Sequence, residues 1–334
     1  MPGFFRPLTW SANWIKRRHV EMGKIPCTLA SCTGEQTRWQ RFRNNRRRDG
    51  AFLQGAFYCQ PQCLETALIG QLSRLRIMAP SQQSPNRIPL GLLMVARGKV
   101  TYLEVRAALE AQRRAHYGKI GEWIEKLGFA TEQDVTTALG LQWGCPVASS
   151  FDPSVLPSPG SIPLPILEAF QMLPINYVAS ANTLYIAFGE RVDHAALHAI
   201  EKILDCRTQP CVAGRKSIMR QLDSMRQLAR PGEVEFGPTN DLAEMARIAS
   251  SYTSWLSPEK VRLSRIGHFI WLRLDFRSSI RLRPQLVPDL TTTNLVFRLS
   301  TESGEEKLGT ANAYRVRLNS GTASARVTTA NIDR

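Results

Sequence analysis

The chain has 334 residues, 43% of them hydrophobic and 21% charged, with a formal net charge of +15, enough for two or three small domains. It has no run of about 18 apolar residues, which excludes a transmembrane helix, and no apolar signal core after the first charges, so a cytoplasmic protein is expected. The charge is uneven: before Asp49, eleven Lys and Arg residues, among them Arg41, Arg43 and Arg46 to Arg48, face only Glu21 and Glu35.

Residues 1–48 read as a basic disordered arm, for which a nucleic-acid or acidic-surface contact is the lesser alternative. Residues 49–79 read as a zinc knuckle plus helix. Seven cysteines is an odd number, and a cytosolic chain rarely spends cysteines on disulfides. Cys59 and Cys63, spaced C-x3-C, follow Phe57 and Tyr58 and precede Leu64, Leu68, Leu72 and Leu75 at helical spacing. That layout resembles the second knuckle of a treble-clef zinc site. Cys27 and Cys32, spaced C-x4-C, can supply the other two thiolates of a tetrahedral site, four reduced thiols being the alternative. Cys145, Cys206 and Cys211 are expected only to pack.

Ala79 to Pro89 reads as a linker. From residue 86 to 145 one helix-loop-helix pattern is written twice at an offset of thirty residues. Leu90 and Gly91 recur as Ile120 and Gly121, Gly98 as Gly128, Thr101 as Thr131, Val105 as Val135, Ala108 and Leu109 as Ala138 and Leu139, and Gln112 as Gln142. A duplicated unit buries its apolar face by packing one copy on the other. In each copy the second Gly is expected to end a short helix at positive φ. Thr101 with Glu104, and Thr131 with Asp134, have the spacing of capping boxes that restart it.

This doubled pattern of Leu/Ile-Gly, a Gly seven positions on and a closing Gln resembles the N-terminal domain of the type II secretion and type IV pilus assembly ATPases, known in the MshE branch to bind cyclic di-GMP. The resemblance implies that each copy holds half of the dinucleotide, with a leading Arg and a closing Gln on guanine and backbone groups near the glycines close to the ligand. Carried over by position, the candidates are Leu90, Gly91, Gly98 and Gln112, then Lys119, Ile120, Gly121, Gly128 and Gln142. The first leading position holds Pro89, with Arg87 two residues earlier, and the second holds Lys119.

Residues 146–228, after a Pro-rich connection from Cys145 to Pro165, resemble the α+β second half of the same domain. Helices are expected at Ile166–Met172, Val192–Leu204 and Lys216–Leu228, and strands at Ile175–Ala179, Leu184–Phe188 and Thr208–Val212. Residues 231–300 read as a small α+β unit, with a helix over Asp241–Tyr252 and a hairpin of Val261–Ile266 and Phe269–Leu274 around Gly267. Residues 301–334 read as a disordered tail. The expected fold class is therefore α+β: a duplicated helical-hairpin unit followed by small α/β sandwich-like units, with a zinc knuckle near the N-terminus.

No G-x-x-x-x-G-K-S/T loop is present. Gly304 to Thr310 lacks its Lys, and Gly214, Arg215, Lys216 and Ser217 lack the upstream Gly and read as a turn entering a helix. His194 and His198 share a helix face without a third ligand. These absences leave an enzyme without support, and the resemblance implies a nonenzymatic cytoplasmic module that senses cyclic di-GMP or docks to a secretion or pilus machine, its partner being the assembly ATPase or the inner-membrane platform. The alternatives are a zinc-knuckle nucleic-acid-binding protein and a structural adaptor with a decayed nucleotide site.

Overall fold

The computed structural model describes residues 26–32, 50–77, 87–148, 162–228, 230, 232–276 and 291–300. The basic arm outside 26–32, most of the linker and the tail after Ser300 lie outside the described residues. Two segments far apart in sequence build one six-stranded sheet in the order β2 (Ala56–Tyr58), β1 (Ala51–Leu53), β8 (Lys260–Ile266), β9 (Phe269–Asp275), β10 (Thr292–Arg298) and β7 (Glu233–Pro238). Residues 49–79 and 231–300, taken separately along the sequence, thus share a sheet through the pairing of Leu53 with Val261. The β1–β2 turn has Gln54 at φ 49° and Gly55 at φ 86°, the two positive values that a tight type I′ hairpin turn requires. Gln54 also fastens the hairpin to β8: its backbone N–H donates to Val261 O at 2.9 Å and its side-chain amide to Leu263 O at 2.8 Å.

Helices α1 (Pro61–Ile77) and α9 (Leu242–Leu256) pack together on one face of this sheet. Leu64, Leu68 and Leu72 join Met245, Ala246 and Ala249 against Leu263, Ile270, Leu272, Leu295 and Phe297. On the other face lies α7 (His194–Leu204), which also contacts a second sheet ordered β3 (Val147–Ala148), β6 (Arg207–Ala213), β5 (Thr183–Phe188) and β4 (Met172–Val178). Strand β9 is apolar on both sides because both are covered: Phe269 and Trp271 enter the core shared with the second sheet, and Ile270, Leu272 and Leu274 the core under α1 and α9. Helices α6 (Leu164–Phe170) and α8 (Arg215–Gln227) pack on each other beside β4.

The alternation of β8 sends two arginines to opposite faces. Arg262 donates to Ile203 O at the end of α7, and Arg265 to Leu75 O and Arg76 O, at 3.0 and 2.9 Å, at the end of α1. Each guanidinium satisfies orphan carbonyls at the negative end of a helix. Arg265→Ala is expected to lower stability by about 1–2 kcal/mol in chemical denaturation. Arg265→Lys should restore only part of this, since an ammonium lacks the planar fork that spans two carbonyls.

The duplicated segment forms four helices, α2 (Leu90–Ala96), α3 (Tyr102–Ala115), α4 (Ile120–Lys126) and α5 (Glu132–Trp143), around a separate core of Met94, Val105, Ala108, Ile124, Val135 and Ala138. No described helix is long and apolar enough to cross a membrane.

Candidate functional site

Both copies of the repeat close their first helix in the same way. Gly98 and Gly128 take φ values of +66° and +74°, and a Cβ on either would meet nothing within 4 Å, so the conformation and not the space calls for glycine. Gly98 N–H reaches Val95 O and Lys99 N–H reaches Met94 O, while Gly128 reaches Glu125 O and Phe129 reaches Ile124 O. This is a Schellman closure made twice. Both capping boxes are present: Thr101 N–H donates to Glu104 Oε2 at 2.6 Å, Thr131 N–H to Asp134 Oδ2 at 3.2 Å, and each hydroxyl accepts the return bond. Gly91 and Gly121 are instead constrained by contact. A Cβ on Gly91 would lie 2.7 Å from Val105 Cγ1, and one on Gly121 would lie 2.9 Å from Val135 Cγ1.

Asp134 also receives Lys99 of the first copy at 2.7 Å. The Lys99 bond, followed by those from Thr131, holds its carboxyl at about 2. A carboxyl depressed in the folded state stabilises above its unfolded value, and that contribution is lost as pH falls through the folded value. The stability difference between wild type and Asp134→Asn should therefore be present at neutral pH and narrow as pH is lowered from about 4 towards 2, as read by urea midpoints.

The closing glutamines cross between the copies. Gln112, ending the first, donates to Gly118 O beside Lys119 at 2.8 Å, and Gln142, ending the second, donates to Ile88 O beside Pro89 at 2.7 Å. Each copy's leading loop is thus held by the other copy's closing residue, and the two arrangements are the candidate half-sites. Leu90 is buried within the repeat and Ile120 is half-buried. In the first half-site Arg87 supplies a guanidinium close to the position held by Pro89: it lies 3.6 Å over the Trp143 ring and donates to Gln142 O at 3.0 Å. In the second, Lys126 sits over Tyr117 and Trp123, at 5.0 and 4.9 Å.

Lys119 is paired with Glu190, and Arg215 bridges Glu190 and Glu122. Burial, then Arg215 and Arg191, lowers the Lys119 pKa. A cavity of about 290 Å³ opens beside Lys119, bordered by Phe170, Gln171, Glu190 and Asp193. Gly214 is the N-cap of α8, and the Lys216 N–H there is met by Glu132 Oε1 at 2.8 Å. His194 and His198 are exposed on α7.

The sulfur atoms of Cys27, Cys32, Cys59 and Cys63 all lie within 4.8 Å of one another, a cluster that could hold a metal ion. Cys32 Sγ is 3.5 Å from Cys59 Sγ and 3.7 Å from Cys63 Sγ. Burial, then contact with Cys32 and Cys27, pushes the thiol of Cys59 up to about 12 and that of Cys63 to about 11. At Cys27 burial acts in the same sense, but backbone N–H groups of Cys59 and Leu29 and the neighbouring thiols bring it below its ordinary value. Cys211 is buried and Cys145 and Cys206 are half-buried in the core between the sheets.

No protein-family model and no curated protein matches this chain. Among solved structures it is similar to MshE with cdg, at 26% identity and a TM-score of 0.34, over 42% of this chain and 99% of that one. It is also similar to the N-terminal domain of XpsE, at 15% identity and a TM-score of 0.32, over 40% of this chain and 91% of that one. A second crystal form of that domain matches at 17% identity and a TM-score of 0.25, over 39% of this chain and 89% of that one.

Proposed function

We propose that the chain is a nonenzymatic, cytoplasmic module that senses cyclic di-GMP, or docks in answer to it, within a type II secretion or type IV pilus machine. The observation that carries this reading is the crossing of Gln112 and Gln142, which gives two matched half-sites on one repeat. A dinucleotide with two identical guanine halves is the ligand whose symmetry such a pair fits. Arg87 provides the planar donor group in the first half-site, and Lys119 provides a cation in the second. The partner in this reading is a motor-bearing assembly ATPase or the inner-membrane platform it contacts, as the resemblance of the repeat implies.

Calorimetry of the full chain with cyclic di-GMP tests the reading. Binding is expected, and Pro89→Arg should tighten it by adding a second fork of donors at the first leading position. Absence of binding by wild type at high micromolar ligand, with binding created by Pro89→Arg and Lys119→Arg together, would identify a decayed site on a surviving frame. If neither protein binds, sensing fails and the structural adaptor takes its place.

A further inference from the structure

The four-cysteine cluster belongs to the core under α1 and α9, separate from the core of the repeat, and takes no part in the nucleotide reading. We propose that Cys27, Cys32, Cys59 and Cys63 hold one zinc ion as a structural four-thiolate site, and that this ion clamps the β1–β2 end of the six-stranded sheet. The inference goes beyond the nucleotide reading and stands without it.

Geometry carries the first half. Four sulfurs at the corners of a tetrahedron with metal–sulfur bonds of about 2.3 Å are about 3.8 Å apart, and the Cys32 sulfur stands 3.5 and 3.7 Å from those of Cys59 and Cys63. A disulfide would require about 2.05 Å, far shorter than either separation. The order of elements fits the same chemistry: a C-x4-C turn closed by Cys32 N–H to Leu29 O, then the β1–β2 hairpin, then a C-x3-C pair entering α1. Two ligands from a turn and two from the start of a helix after a hairpin are the arrangement of a treble clef. With all four positions filled by protein thiolates no place is left for a water or substrate, so the role is structural. Zinc, with no geometric demand of its own, takes the tetrahedron that the sulfurs define.

Placement carries the second half. Cys63 is buried in the same core as Leu263, Leu272, Leu295 and Phe297, and the other three cysteines pack against it. Residues 26–32 contain no helix or strand, and the backbone bond from Thr28 N–H to Phe57 O at 2.8 Å ties them to β2. A metal crosslink between this segment and the head of α1 therefore bears on strands some two hundred residues later in the chain.

The test uses the full chain purified under reducing conditions without chelator. Elemental analysis should find one zinc per chain. Cobalt exchanged into the site should give the visible bands of a tetrahedral ion with thiolate-to-metal charge transfer. Cys59→Ser should lose the metal, while Cys145→Ser and Cys206→Ser should keep it. Chelation should speed amide exchange in β1, β8 and α1 and leave α2 to α5 protected. If Cys59→Ser does not fold, the cobalt spectrum of wild type still decides. Iron in place of zinc, or well under half an equivalent of metal with no cobalt uptake, overturns the site. Metal release with unchanged exchange in β1 and β8 overturns its role in the sheet.

Discussion

Glu233→Gln is expected to cost about 3–5 kcal/mol, because it leaves a buried guanidinium without its counter-charge. The side chains of Arg230 and Glu233 are 8% and 11% exposed, with Arg230 Nε 3.1 Å from Glu233 Oε2. Around that pair the chain is pinned: Arg230 Nη2 donates to Ile162 O at 2.8 Å, and Glu233 Oε1 accepts from Leu164 N–H at 2.9 Å. The pair thus fixes the start of α6 to the first residue of β7, where the two sheets share their core. Burial already lowers the Arg230 pKa, against the opposing pull of Glu233. A glutamine still accepts from Leu164 N–H, so the substitution isolates the lost charge from the lost hydrogen bond. Arg230→Met added to Glu233→Gln should recover most of the stability, since removing both charges of a buried pair is often close to neutral. Urea denaturation of the three variants checks this. A loss under about 1 kcal/mol for Glu233→Gln would place the pair in the class of solvated surface bridges.

What could be read from the sequence was local chemistry. Gly98 and Gly128 are legible because a helix stop at positive φ leaves one residue type as its signature, and Thr101 and Thr131 because a capping box closes within four residues. The C-x4-C and C-x3-C pairs were visible for the same reason, and the chain folds so that all four thiols meet. The helices and the Val261–Leu274 hairpin carry periodic apolar positions over enough residues to show. Strands β1 and β2, three residues each, offer too few positions for a period of two, and their pairing with β8 joins residues that no sequence pattern relates. Strand β10 alternates poorly because both of its faces are buried. Charge pairs were illegible altogether. Glu132 and Lys216 are 84 residues apart, and the Arg87–Trp143 stack joins opposite ends of the repeat. The signal that could have led to it was the position of Trp143 directly after the closing Gln142.

Gly91→Ala and Gly121→Ala are each expected to destabilise the repeat by about 1–3 kcal/mol, the usual range for overpacking a tight site. Helix propensity alone predicts the opposite sign, a gain of up to about 1 kcal/mol for Gly to Ala within a helix. Contact decides against it. The new methyl would stand 2.7 Å from Val105 Cγ1 in one copy and 2.9 Å from Val135 Cγ1 in the other, and a β-branched neighbour has few rotamers with which to retreat. Complementary substitution separates this cause from any loss of ligand contact. Val105→Ala removes the clashing methyl groups, so Gly91→Ala with Val105→Ala should be more stable than the sum of the two single changes predicts. The copies should also be coupled. Leu90, next to Gly91, lies 3.3 Å from the Cβ position of Gly121, so a shift of α2 forced at Gly91 alters the space at Gly121. The double variant Gly91→Ala/Gly121→Ala should then deviate from additivity, whereas two independent sites would simply sum. Should Gly91→Ala leave the denaturation midpoint unchanged while weakening cyclic di-GMP, close backbone approach to the ligand, and not helix packing, is what keeps glycine there.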